Sequence, residues 1–300
     1  MDAWILLSIA AAAFQTLRFM LQKHLSMVAL SAGGATLARF FYAVPFVVML
    51  ALGYLIVSGD GLPGHSPVFW VYAVVGGLLQ VVATWCVVAL FAERNFAVGI
   101  TFKKTEVLQT ALVGFVILGD RISPLGAAAI LLGFAGVLLL SDTPGLTGRW
   151  WQRLSSRATL LGLASGACFA ISAVGYRGAT LEITSADPLM RALLTLCAVT
   201  LMQTLAFSLW LWWREPGELG RVIAARGTAV WMGLTGMAGS LCWFTAFTLQ
   251  SAALVFAVGQ VEVIFSLLAA VLFFGERITR REGVGIALIT LSVIGVVLFQ

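Results

Sequence analysis

Three charged residues stand close together inside an apolar stretch of the sequence: Lys103, Lys104 and Glu106. Lys103 and Glu106 are three positions apart, so on a helix they share one face. The two adjacent lysines point about 100° apart, and packing alone does not easily neutralise both of them. The pattern therefore predicts a polar, wet cavity that suits a carboxylate or a phosphate, and Glu106 can hold an ammonium group or a proton.

Four more ionisable residues lie deep in apolar stretches: Arg18, Arg39, Arg191 and Glu262. A charge at the bilayer centre costs at least about 2.5–3.5 kcal/mol, so such residues usually face a bundle interior and have partners. Arg39 and Arg191 are expected to pair with Glu106 and Glu262. Two interpretations of this pairing stay open, a substrate site or structural salt bridges that fix the register of the helices.

Uncharged side chains complete the candidate binding site. Gln80 and Trp85, on the third apolar stretch, can approach the face that carries Lys103 and Glu106. Trp243 lies deep in a later stretch and can line a cavity. For each aromatic residue alone, packing in the core is the alternative interpretation. The predicted substrate-binding residues are Lys103, Lys104, Glu106, Gln80, Trp85, Arg39, Arg191, Glu262 and Trp243.

Membrane helices must position these residues. The chain is 61% hydrophobic and 10% charged, whereas a soluble domain carries roughly 25% charged residues. The apolar stretches are long enough to cross about 30 Å of hydrocarbon as helices, and they lack the alternation of barrel strands. The sequence predicts an all-α polytopic membrane protein with ten spans, at about Ala3–Gln22, Gly34–Val57, Pro67–Phe91, Phe96–Leu118, Pro124–Leu140, Thr159–Ala179, Pro188–Trp213, Thr228–Gln250, Ala253–Phe274 and Gly283–Phe299.

A short motif occurs twice and indicates a duplicated unit. Gly119-Asp120-Arg121-Ile122-Ser123 and Gly275-Glu276-Arg277-Ile278-Thr279 each separate two apolar stretches, 156 residues apart. At the same offset Glu106 aligns with Glu262. Duplication of this kind in a membrane protein is typical of transporters.

The duplication predicts two inverted halves. We expect a first five-helix repeat at 1–141, a linker at 142–157 and a second five-helix repeat at 158–300. Five is an odd number, so the halves enter the membrane from opposite sides. Most loop Lys and Arg residues follow odd-numbered spans, whereas Arg121 and Arg177 fall in loops after even-numbered spans. By the positive-inside rule both termini lie outside the cytoplasm.

Several functional classes are disfavoured by the sequence. The four cysteines fall inside apolar stretches and lack metal-ligand spacing, so we expect reduced, packed thiols and no cofactor. The two histidines lie near loops and no nucleophile motif is present, which argues against an intramembrane enzyme. There is no Walker A motif for ATP. A structural or sensory membrane protein would not require paired polar residues in both halves, and no nucleic-acid partner is expected.

Ten spans in two halves, each with Gly-acidic-Arg-Ile before its last span, resemble the drug/metabolite transporter superfamily, and in particular EamA-type ten-helix exporters. The resemblance covers the whole chain. Arg39 and Arg191 match the arginine often seen in the second helix of each half, and Glu106 and Glu262 match the upstream acidic position. It implies a central cavity with alternating access in the bacterial inner membrane, and it suggests the aromatic-amino-acid exporter subtype. It also implies cytoplasmic termini, against the loop charges.

The sequence therefore predicts a secondary active transporter that exports small metabolites, amino acids above all. The alternatives are a transporter of anionic metabolites, sugar phosphates or lipid-linked sugars, or a multidrug exporter. The expected partners are a small-molecule substrate and the lipid bilayer, with protons open as the coupling ion. Ten helices can enclose a cavity without a second copy, so a functional monomer is expected.

Overall fold

The computed structural model of the protein describes residues 2–59, 61–91, 103–140, 157–265, 268 and 280–299. The second copy of the motif and all but the last residue of the predicted linker lie outside these ranges. The described chain is helical apart from short connections and one isolated bridge between His65 and Ile183. Its helices are α1 (Ala3–Val28), α2 (Ala32–Phe41), α3 (Val44–Ser58), α4 (Val68–Leu90), α5 (Glu106–Leu118), α6 (Pro124–Leu140), α7 (Arg157–Leu181), α8 (Pro188–Arg214), α9 (Glu218–Ala224), α10 (Arg226–Leu249), α11 (Ala252–Gly259) and α12 (Arg280–Phe299).

Among the described residues, six helices are long and apolar enough to cross a membrane: α1, α2 with α3 counted as one, α4, α7, α8 and α10. Shorter apolar helices cover Glu106–Leu118, Pro124–Leu139, Ala252–Phe265 and Gly283–Phe299. This architecture fits the predicted all-α polytopic membrane protein. The count of ten spans in inverted repeats stays a prediction.

Proline and local turns divide two of the predicted spans. The second span is two helices, because Pro45 cannot donate to the helical ladder and its ring clashes with the carbonyl of Phe41, where α2 ends. The ninth span has a turn at Gln260, between α11 and the helical residues 261–265. The predicted connection Arg214–Gly227 contains the short helix α9.

Three helix pairs hold the two halves of the chain together. α4 packs most extensively on α7, α6 on α12, and α1 on α10. Small residues allow close approach: a Cβ atom at Gly136 would lie 2.9 Å from the carbonyl oxygen of Gly285, and one at Gly175 would lie 3.1 Å from that of Tyr72. In lipid, such faces let helix backbones pack tightly. The polar residues collect where α1, α4, α7 and α10 meet α2, α5 and α11, a region that we call the seam.

Besides these helix pairs, the halves meet at a polar contact that we call the Arg177 cluster. It consists of Arg177, Asp120 and the carbonyls of Phe247 and Gln250. Arg177 pairs with Asp120, the acidic residue of the first motif copy, at 3.1 Å between Nε and Oδ2. It also donates to the carbonyls of Phe247 at 2.7 Å and Gln250 at 2.8 Å. The prediction that Arg177 lies in a loop is wrong, because α7 continues to Leu181.

Candidate functional site

Lys103 and Lys104 each form an ion pair, and each binds a different glutamate. Lys103 Nζ lies 2.9 Å from Glu106 Oε1, on the shared face that the three-residue spacing predicts. Lys104 Nζ lies 3.0 Å from Glu262 Oε2, which belongs to the other half of the chain. These side chains are at most 13% exposed. Because removing one partner of a buried ion pair is strongly unfavourable, both pairs constrain the local structure.

Glu262 has a further partner on α1. Gln15 Nε2 donates to Glu262 Oε2 at 3.0 Å, and the indole N–H of Trp243 donates to Gln15 Oε1 at 3.2 Å. A chain of polar contacts thus runs from Lys104 through Glu262 and Gln15 to Trp243. Sequence reasoning missed Gln15. Its only signal was a polar residue at membrane depth, which does not reveal a partner 247 residues away.

Arg39 pairs with neither glutamate in the described part of the chain, so the predicted pairing is wrong for this residue. Its Nη1 donates to Thr84 Oγ1 at 3.0 Å and its Nη2 to Ser240 Oγ at 3.4 Å. The physical reason is the position of α2, which packs against α4, α8 and α10 and away from α5. Arg39 is only 5% exposed, and its recorded partners are neutral hydroxyl groups.

Two predicted site residues lie away from the seam. Arg191 is partly exposed in the first turn of α8, where its Nε donates to the carbonyl of Thr180 at 2.7 Å, so its predicted pairing with a glutamate is wrong. Trp85 is 40% exposed on the outer surface. Its neighbour Thr84 is buried against Arg39, and one step along a helix turns the side chain by about 100°.

Two cavities adjoin along the seam. The arginine cavity has a volume of about 30 Å³ and is lined by Gln15, Arg39, Gln80, Phe169, Ser172, Ala173, Tyr176, Ser240, Trp243, Phe247 and Phe256. The lysine cavity has a volume of about 20 Å³ and is lined by Gln15, Lys103, Lys104, Glu106, Phe169, Trp243, Phe256, Gly259, Gln260 and Glu262. Four residues border both cavities, so the two are neighbours: Gln15, Phe169, Trp243 and Phe256.

Gln80 belongs to the arginine cavity and not, as predicted, to the face of Lys103 and Glu106. Its Oε1 accepts hydrogen bonds from the hydroxyl of Tyr176 and from the amide of Gln203, both at 2.8 Å. Tyr176 packs in turn on the ring of Phe244, with centroids 4.2 Å apart. Gln80 and Tyr176 therefore form a hydrogen-bonded polar wall of the cavity that Arg39 also lines.

Comparison with known proteins finds a similarity to a transporter family in the second part of the chain. Residues 156–298, slightly less than half of the chain, match the EamA-like transporter family, which supports the resemblance to the drug/metabolite transporter superfamily. A comparison with curated proteins gives no match. One solved crystal structure is similar over 97% of this chain and 99% of its own, with a TM-score of 0.65 and 18% identity. That likeness concerns the fold alone. The match to a transporter family and the long apolar helices together support a multi-pass integral membrane protein.

Proposed function

We propose that the protein is a secondary active transporter that exports small metabolites, amino acids in the first place, by alternating access. The observation that carries this proposal is the pair of adjoining cavities at the seam, bordered by buried arginine, lysine and glutamate side chains. Ionisable residues inside a membrane protein mark substrate and ion pathways. Two halves that meet around such a site can expose it to each side of the membrane in turn.

The proposal includes ten spans in two inverted five-helix repeats, at 1–141 and 158–300. Two observations support it. A two-fold axis in the membrane plane would make the pair α4–α7 equivalent to the pair α10–α1, and both pairs pack extensively. Arg39 binds Thr84 and Ser240, which are separated by the same 156 residues as the two motif copies.

At about 30 Å³ the arginine cavity holds only a water or two in this conformation, so it can receive an amino acid only when alternating access widens it. Arg39 can bind the carboxylate, because a charged acceptor makes a stronger hydrogen bond than its hydroxyl partners do. The rings of Phe169, Trp243 and Phe256 border the same space and suit an apolar side chain. In the neighbouring lysine cavity an ammonium group can compete with Lys104 for Glu262, or the glutamate can exchange a proton.

A second candidate is a transporter of anionic metabolites, such as sugar phosphates or lipid-linked sugars. One observation favours it: both glutamates of the seam already form ion pairs with lysines, and the hydrogen-bond partners of Arg39 in the described structure are neutral. The seam therefore carries more positive than negative charge. Competition by phosphorylated sugars but not by amino acids would select this candidate.

The test is uptake of a panel of amino acids by proteoliposomes, with and without a pH gradient. We expect saturable uptake of at least one amino acid. The double variant Lys103→Met/Glu106→Gln removes both charges of one ion pair without leaving either unpaired, and we expect uptake to fall by about tenfold or more. Leu112→Ala, on the outward face of the same helix, is the matched control. Unchanged uptake by the double variant would count against the assigned site, and uptake of no amino acid would count against this substrate class.

A further inference from the structure

We propose that Arg18 and Arg39 together bind the oxyanion group, a carboxylate or a phosphate, of the molecule that the protein carries. This inference rests on the proposed transport function, although the site itself can be tested by binding alone. Arg39 borders the arginine cavity, whereas Arg18 is not among its lining residues and lies beside Arg39. The proposal assigns to Arg18 a role that its hydrogen bonds within the protein do not explain.

The balance of charge at the seam is the first argument. Four cations lie there, Arg18, Arg39, Lys103 and Lys104, beside the two carboxylates Glu106 and Glu262. Each carboxylate already pairs with a lysine, at 2.9 Å and 3.0 Å. Within the described ranges neither arginine forms an ion pair. Arg18 lies over the ring of Phe19, 4.0 Å from its centroid, but neither guanidinium group has a carboxylate of its own among the described residues. An incompletely compensated buried charge is unfavourable.

The surroundings of Arg18 are the second argument. The residue is 2% exposed, at the middle of α1. Its Nη1 donates to Gln22 Oε1 at 2.6 Å, while its Nη2 has no hydrogen-bond partner among the described residues. Gln22 is itself held by a bond to the carbonyl of Ala35 at 3.1 Å. Buried polar groups nearly always have a partner, so an orphaned guanidinium donor points to an acceptor that arrives with a ligand.

The proximity of the two arginines is the third argument. Both touch Gly236 of α10: a Cβ atom there would lie 3.2 Å from Arg18 Cδ and 3.4 Å from Arg39 Cγ. Because both side chains lie against the same glycine, their like charges repel each other. An oxyanion between them would relieve this repulsion and accept from both planar groups, which is the geometry that arginine offers to carboxylate and phosphate.

A purely structural role for Arg18 makes the opposite prediction about stability. If its bond to Gln22 mattered most, Arg18→Met would lower the melting temperature of the ligand-free protein. If Arg18 is an incompletely compensated charge in the ligand-free protein, Arg18→Met removes a group that destabilises this state. We then expect the melting temperature without ligand to stay the same or to rise by about 2 °C or more, and stabilisation by anions to disappear.

The experiment uses the purified full-length protein in detergent, with thermal unfolding as the readout. The probes are inorganic phosphate, succinate and phenylalanine, which distinguish a phosphate, a dicarboxylate and an amino-acid carboxylate. We expect at least one of them to raise the melting temperature in a saturable way. Arg18→Gln and Arg39→Gln should each weaken its apparent affinity by about tenfold or more, since a charge-assisted hydrogen bond is lost. Lys23→Gln, an exposed position on the same helix, removes one positive charge and should leave the affinity unchanged.

Two results would overturn the proposal: stabilisation by none of the three probes, or wild-type affinity in Arg18→Gln. Should Arg18→Gln fail to fold, Arg18→Lys keeps the charge without the planar fork, and wild-type affinity in that variant would equally contradict the paired site. Transport is judged separately. Binding that depends on Arg18 without uptake into proteoliposomes would contradict the transport function and leave the site intact. Uptake that is unaffected by Arg18→Gln would contradict the site and leave the function intact.

Discussion

Arg177 and Arg39 both lie at the contact between the two halves, yet their surroundings differ. Arg177 meets the carboxylate of Asp120 and two backbone carbonyls, at 2.7–3.1 Å. Arg39 meets two hydroxyl groups, the second at 3.4 Å. An arginine with strong charged and carbonyl acceptors is committed to the fold, because any ligand would have to displace them. An arginine with weak neutral acceptors keeps its charge available for a ligand.

The same contrast separates the lysines of the seam from its arginines. Lys104 is neutralised by Glu262, which ties α5 to the second half of the chain. Arg18 has an amide partner and one orphaned nitrogen in the described structure. The lysine cavity is therefore held together by ion pairs, whereas the arginine cavity is held by packing and hydroxyl groups. Four substitutions test how much each of these residues supports the fold and how much it supports binding.

The largest effect is expected at the ion pair between the halves. Lys104→Met leaves the carboxylate of Glu262 without its cation and should lower the free energy of unfolding by about 3–5 kcal/mol. The double variant Lys104→Met/Glu262→Gln removes both charges and should recover part of that loss. Thermal unfolding in detergent measures both proteins. Equal destabilisation of the single and double variants would mean that the ion pair does not govern stability.

Arg177→Gln should have the next largest effect on stability. Loss of the charged hydrogen bonds to Asp120 is expected to cost about 1.5–3 kcal/mol. A double-mutant cycle with Asp120→Asn should give a coupling energy of about 0.5–3 kcal/mol, because the two residues touch. Additive effects in that cycle would show that the Arg177 cluster is not a unit. Substrate affinity, measured in the folded fraction, should change little.

Arg39→Gln should have the opposite effect to Arg177→Gln, with a large loss of substrate affinity and a small loss of stability. We expect a fall in substrate affinity of about 10- to 100-fold, as for the loss of a hydrogen bond to a charged group, and a much smaller change in melting temperature than for Arg177→Gln. The comparison uses transport KM in proteoliposomes and thermal unfolding of the same preparations. If both arginine variants lost stability equally and kept their affinity, the two environments would not differ in function.

The sequence predicts those parts of the site that depend on local geometry. The ion pair of Lys103 with Glu106 follows from a spacing of three on one helix face. The pair of Lys104 with Glu262 spans 158 residues and depends on how two helices rotate against each other. Neither residue alone encodes that rotation.

Helix rotation also explains the error at Trp85. Periodicity within a uniformly apolar helix does not tell which face meets protein and which meets lipid. The adjacent Thr84 is the informative residue, since small polar residues favour the side of a membrane helix that packs against another helix. Trp85, one position along, points about 100° away from that side. The ten-span count and the inverted repeat stay predictions, and they rest on the motif and on the lengths of the apolar stretches.

The smallest effect is expected at Gly236, where a methyl group would press on both proposed ligand arginines. The Cβ of Gly236→Ala would lie 3.2 Å from Arg18 Cδ and 3.4 Å from Arg39 Cγ, so both side chains must shift by a few tenths of an ångström. A displaced guanidinium pair should lower anion affinity by about threefold, less than the loss of a full hydrogen bond would.

Gly239→Ala on the same helix is the matched control. Its Cβ would lie 3.1 Å from Phe14 Cβ, a comparable crowding without an arginine. Both variants gain similar helix propensity, so a change in affinity confined to Gly236→Ala would assign the effect to the arginines. Equal affinities in the two variants would place the anion elsewhere in the seam.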